Sequence, residues 1–164
     1  GEPVAVINVM GRIFMQPLDN PFSVVLEQIR IAQEHAHIIL VDFHAEATSE
    51  KIAMGWFLDS KVTAVVGTHT HVQTADARLL PGGTAYITDV GMTGPHDSII
   101  GVETSAALSR FVTGLPSRFE TATGNPKLHA VVVTADAATG QATEIVPLSL
   151  SLQDVEALAA RSAS

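Results

Sequence analysis

Apolar positions along the chain fall into two alternating rhythms. Short blocks of strand length recur at Val4 to Val9, Ile38 to Val41, Val62 to Val66 and Thr84 to Thr88. Each is bounded by polar or turn residues, the pattern of buried strands. Between the first two the period lengthens. Phe22, Val25, Leu26, Ile29 and Ala32 or Gln33 recur at helical spacing, with Glu27 and Arg30 facing outward. This predicts a helix from Pro21 to about Glu34. Thr48-Ser49-Glu50-Lys51 reads as a second helix start, because a hydroxyl and an early carboxylate satisfy the free N–H groups there. That helix is expected to run to about Leu58. Pro17 to Pro21, Leu79 to Gly83 and Asp89 to Pro95 read as turns or loops.

The rhythm changes in the last third. Thr104 to Val112 predicts a short helix, and Arg118 to Glu120 and Leu128 to Thr134 predict antiparallel strands. Asp136 to Gly140 reads as a hairpin turn leading into Ala142 to Val146. A last amphipathic helix is expected over Leu152 to Ala160, with residues 161–164 fraying. Strands alternating with helices and then a β-meander predict a layered α/β fold, with residues 1–164 forming one domain.

Composition narrows the function classes. The net charge of -8 argues against an extended nucleic-acid surface, which needs basic groups. A small phosphorylated ligand stays compatible, because a bound cation would set the local charge. With no cysteine, there is neither a disulfide framework nor a thiolate site. Any metal would be held by imidazole, carboxylate, amide or water. No apolar run has the length of a membrane span, and no signal-peptide pattern is present, so a cytoplasmic location is the expectation. The chain opens directly on a strand after Gly1-Glu2-Pro3, which reads as a processed or engineered start or as a fragment of a longer protein.

The candidate chemistry lies at the ends of the second and third strands. His69 and His71 stand two apart in Gly67-Thr68-His69-Thr70-His71, and His44 closes Asp42-Phe43-His44. In extended backbone, residues i and i+2 share a side, so both imidazoles are expected to project together. Three histidines at two strand ends predict a metal site. Asp42 reads either as a loop or capping carboxylate or as the acceptor that orients a ligand histidine. Glu46 is close in sequence, and Glu50 is better read as a first-turn helix residue. Thr68 and Thr70 are read chiefly as favouring extended backbone, with hydrogen bonding to the imidazoles as the other reading. The glycines of Asp89 to Gly94 permit close approach of a ligand, or simply make a turn. His35 and His37 are expected to face solvent, His129 to be structural, and His96 is left open. The absence of cysteine and of a Gly-x-Ser-x-Gly elbow favours an activated water over a covalent nucleophile.

Longer blocks carry a resemblance. Val41 to Lys51, Val66 to Val72 and Gly82 to Pro95, with Asn8 to Arg12 and Leu18 to Phe22, resemble the YmdB-type bacterial metallophosphoesterases over nearly the whole chain. The resemblance implies a calcineurin-like fold, an α/β/β/α sandwich of which this chain would be the C-terminal part. It implies a dinuclear centre of Fe, Mn, a mixed pair or Zn, with His44 and His69 on one metal and His71 on the other. It implies hydrolysis of 2′,3′-cyclic nucleotides, a metal-bridging hydroxide attacking phosphorus. The family's carboxylate ligands, Gly-Asn-His motif and proton-donor histidine find no match here, so no catalytic residue is assigned. The chain alone is therefore expected to be poorly active. A homo-oligomer, or pairing with a missing N-terminal half, is the expected assembly. A non-catalytic regulatory or interaction module is the alternative, and a mononuclear three-histidine hydrolase a third possibility.

Overall fold

The computed structural model describes residues 1–162 of the chain. It contains, in order, β1 (Val4–Met10), α1 (Pro21–Ala32), β2 (Ile38–His44), α2 (Thr48–Leu58), β3 (Ala64–Thr68), β4 (Arg78–Leu79) and β5 (Ala85–Ile87). Then follow β6 (Gly94–Pro95), α3 (Thr104–Thr113), β7 (Pro126–Ala135), β8 (Ala142–Ser151) and α4 (Leu152–Ser162). The chain is mixed α/β and divides into two compact units: residues 1–91 with 131–147, and residues 92–130 with 148 onward.

The first unit is built on a five-stranded sheet in the order β1-β2-β3-β5-β4. β1, β2, β3 and β5 run parallel, and β4 joins antiparallel to β5. The alternation of β2 sorts its two faces. Ile39, Val41 and Phe43 are buried and pack with Ile7, Val9 and Val65 against Val25 and Ile29 of α1 and Met54 and Leu58 of α2. On the other face Ala64 and Ala85 form a smaller cluster with Leu40, Val133, Ala142 and Ile145. Each fully buried aliphatic side chain contributes roughly 1.5–3 kcal/mol, so these clusters fix the register. Asn20 caps α1, its side-chain oxygen accepting from the Phe22 N–H, and Pro21 occupies the first helical turn.

The same alternation places the polar residues. Asn8 pairs with Asp42, and Asp42 with Val66; Met10 pairs with His44, and His44 with Thr68. Asn8, Asp42, His44 and Thr68 therefore share the Leu40 face at the carboxyl ends of parallel strands, where α/β sheets gather their ligands.

The second unit carries α3, α4 and the pairing of β6 with the start of β7, within a sheet ordered β6-β7-β8. α3 ends at Gly114, whose φ of 70° supplies the left-handed cap. Residues 118–120 form no strand; Thr121 makes a single bridge to Val102. α4 continues past the expected end to Ser162, and residues 163–164 lie outside the described residues. Among the described residues, no helix is long and apolar enough to cross a membrane.

Candidate metal centre

β2 runs three residues beyond the expected Val41, so His44 is the last residue of a strand rather than of a loop. Its ring is held from behind. His44 Nδ1 lies 3.0 Å from Thr68 Oγ1, and that hydroxyl donates to Asp42 Oδ1 at 2.8 Å. Asn8 Nδ2 donates to the other Asp42 oxygen at 2.8 Å. Because the Thr68 proton goes to Asp42, its oxygen accepts from His44 Nδ1–H. That leaves the Nε2 lone pair of His44 pointing away, the tautomer a ligand histidine requires.

His69 meets that lone pair. Its Nδ1 is 3.0 Å from His44 Nε2, with the two rings edge to face at 4.8 Å between centroids. Its Nε2 is 3.0 Å from Glu46 Oε2. A carboxylate accepting from Nε2–H leaves Nδ1 as a second lone pair facing the first. Two such nitrogens need a shared proton or a cation between them. Two nitrogens on one ion at about 2.1 Å each stand about 3 Å apart at an octahedral right angle and about 3.4 Å apart at the tetrahedral angle. The donor pair thus fits a borderline metal, and Asp42 and Glu46 orient the rings that would hold it.

His69 and His71 do not project from extended backbone. β3 ends at Thr68, and both residues adopt left-handed φ values, 116° for His69 and 65° for His71. The i, i+2 expectation assumed that the strand continued; a turn replaces it. His71 is exposed and does not complete a cluster with the other two. Among the described residues, no three His, Cys, Asp or Glu side chains are gathered to hold an ion between them. Residues with positive φ other than glycine carry strain of about 1–3 kcal/mol each and need surroundings that enforce them.

Between His69 and His71, Thr70 is bonded to Asp89, a carboxylate buried just after β5. Its Oδ2 accepts from Lys51 Nζ at 2.7 Å, Thr70 N at 3.0 Å and Thr70 Oγ1 at 2.7 Å. Its Oδ1 accepts from Gly91 N at 2.9 Å. Burial alone would raise the Asp89 carboxyl, but the Lys51 ammonium and the Gly91 and Thr70 donors outweigh it and hold it below its ordinary 3.8. Glu50 is likewise buried, accepting from the N–H groups of Arg12 and Ile13 and fixing the loop after β1.

Thr68, Thr70, Glu46, Lys51 and Asp89 support the histidines through contacts between separate segments. The period of α2 carried a signal for Lys51, whose position falls on the helix face that also buries Met54, Gly55 and Leu58. His96 and His129 meet each other instead, 4.4 Å apart in the second unit, and His35 and His37 are exposed as expected.

These features define a mixed α/β chain with a candidate two-histidine metal centre at the carboxyl ends of its parallel strands. The chain belongs to the YmdB-like protein family, whose model matches residues 1–148. It is 54% identical over 145 residues to a 2′,3′-cyclic-nucleotide 2′-phosphodiesterase of Bacillus subtilis, covering 88% of this chain and 55% of that protein. It is 37% identical to a putative phosphatase/phosphodiesterase of Mycoplasma genitalium, covering 97% of this chain and 57% of that one. A crystal structure of a hypothetical protein from Thermus thermophilus superposes with a TM-score of 0.86 at 47% identity, over 92% of this chain and 58% of that chain. A crystal structure described as a novel phosphatase from Mycoplasma pneumoniae gives 0.81 at 35% identity, over 92% and 55%. The chain spans about half the length of the curated relatives it matches.

Proposed function

We propose that this chain supplies the histidine side of a dinuclear centre in a metal-dependent phosphodiesterase acting on 2′,3′-cyclic nucleotides, within a calcineurin-like α/β/β/α sandwich. The observation that carries the reading is the facing pair His44 Nε2 and His69 Nδ1 at 3.0 Å, each ring held by a carboxylate on its far side, Asp42 through Thr68 and Glu46 directly. The names of the Bacillus and Mycoplasma relatives support the reaction class.

His44 and His69 would hold one ion and His71 the other, with Fe, Mn or Zn compatible with imidazole donors. When bound, such ions polarise phosphoryl oxygens and make water a nucleophile near neutral pH. The chain's own residues orient and confine. Thr68 and Asp42 fix the His44 tautomer, and Glu46 fixes that of His69. The carboxylate ligands and the acid that protonates the leaving oxygen have no counterpart among these residues, so this chain alone is expected to turn over poorly.

A non-catalytic interaction module is the second reading, favoured by the lack of a three-ligand cluster among the described residues. Metal analysis separates the two. The phosphodiesterase reading predicts that the purified chain takes up Mn²⁺ or Zn²⁺ and that His69→Ala/His71→Ala loses it. Stoichiometric metal retained by that double variant contradicts the reading.

A further inference from the structure

The buried ion pair Lys51–Asp89 has a task that core packing does not explain. Both side chains are 1% exposed, and Nζ lies 2.7 Å from Oδ2. An apolar pair of similar volume in such a place is often as stable or more stable. The arrangement around it points outward to the histidines. Asp89 Oδ2 takes both the backbone N–H and the hydroxyl of Thr70, the residue between His69 and His71. The turn is stitched a second time further on. Thr74 N donates to the Asp89 carbonyl at 3.0 Å, and Asp89 N donates to Thr74 Oγ1 at 2.9 Å.

Close approach makes this reach possible. At Gly67 a Cβ would overlap the Thr88 carbonyl oxygen and press on the Lys51 stem at 3.1 Å. Val90 N donates to the Gly67 carbonyl at 2.9 Å, holding the segment after β5 against the end of β3. The carboxylate therefore sits directly under a turn whose two histidines both have positive φ. A turn strained at two positions relaxes unless something enforces it.

We propose that the Lys51–Asp89 ion pair is a positioning device that pins Thr70 and so holds the His69–His71 turn in its ligating shape. Lys51 neutralises and immobilises the carboxylate; Asp89 grips the turn through two donors on one residue. The pin itself is a property of the metal-free chain, and only its consequence for ion affinity rests on the function proposed above.

Two variants test it. Thr70→Val removes the hydroxyl and keeps the backbone N–H. Lys51→Met/Asp89→Leu removes the pin without leaving a buried charge unpaired, and circular dichroism checks that the fold is kept. Two readouts are taken on the full 164-residue chain: amide hydrogen exchange without metal, and Zn²⁺ affinity by competition with a chromophoric chelator. The expected result is exchange at the residue-70 amide at least tenfold faster in the double variant and faster by a smaller factor in Thr70→Val, while the β2 and β3 core amides move less in both. Zn²⁺ affinity falls by about tenfold, the scale seen when a group that orients a ligand is lost. Exchange at Thr70 that rises no more than in the β2 and β3 core overturns the proposal, whatever the affinity. Wild-type chain that takes up no Zn²⁺ counts against the metal reading alone, because the exchange result still decides the pin.

Discussion

Thr68 is where a single hydroxyl sets the tautomer of a candidate ligand. It accepts from His44 Nδ1 and donates to Asp42, which leaves His44 Nε2 free to face His69. Thr68→Val keeps the shape and removes both bonds. Zn²⁺ affinity should fall by about tenfold while thermal stability stays close to wild type, as isothermal titration and a melting curve would show. Unchanged affinity would mean that the ring needs no such support. His44, His69 and His71 stand out in the sequence as candidate ligands because imidazole at strand ends is chemically conspicuous, and the structure brings the first two together. For Thr68 the less favoured reading, a hydrogen bond to an imidazole, is the one found; its partner follows from sitting opposite His44 across β2 and β3, a pairing of residues 24 apart. Asp89 was hidden because its partners Lys51 and Thr70 lie in two other segments.

Strand and helix placements followed the apolar periods closely, and the errors have common causes. β2 was cut short at Val41 because Asp42 and His44 are polar, yet they alternate with buried Phe43 and continue the strand. The His69 to His71 stretch continues the apolar block Val62 to Val66 in sequence, which predicts extended backbone, and no glycine within it marks the left-handed turn that replaces the strand. Glu50 is the first-turn helix residue its position predicts, and it is also buried at 7% exposure as the acceptor for two backbone donors of the β1 loop. Glu50→Ala leaves the Arg12 and Ile13 N–H groups without that partner. It should cost about 1–3 kcal/mol in urea unfolding, and a loss below about 0.5 kcal/mol would refute the anchor.

Two elements also set acid sensitivity. Asp89 has a lowered folded-state pKa, so its contribution is full above the ordinary 3.8 and is lost as pH falls below it. His129 on β7 is lowered from 6.5, first by burial and then by His96 and Lys127. A lowered histidine stabilises the neutral form, so this contribution is full above 6.5 and declines as pH falls through the lower folded value. Melting temperature should therefore drop between pH 7.5 and 5.5, and His129→Gln should lessen the drop. An identical pH slope in the variant would contradict this assignment.

For the molecule as a whole, β1 is an edge strand whose Val4 and Val6 are 52% and 70% exposed. Apolar residues on an open edge invite pairing with another chain, and the net charge of -8 opposes it only at low ionic strength. The isolated chain should self-associate with rising concentration and salt in light scattering, and Val6→Lys should suppress this. A monomer throughout would show that the edge is protected. The α/β class and family were readable from strand-end blocks such as Val66 to Val72, because there a few residues meet several chemical demands at once.

If His44, His69 and His71 form the histidine side of a metal centre, the 164-residue chain takes up metal, as equilibrium dialysis against Mn²⁺ and Zn²⁺ with elemental analysis would measure. Wild type should bind, and the His44→Ala/His69→Ala/His71→Ala variant should lose the metal with its fold retained by circular dichroism. Equal uptake by the folded variant, or none by wild type, would contradict that role.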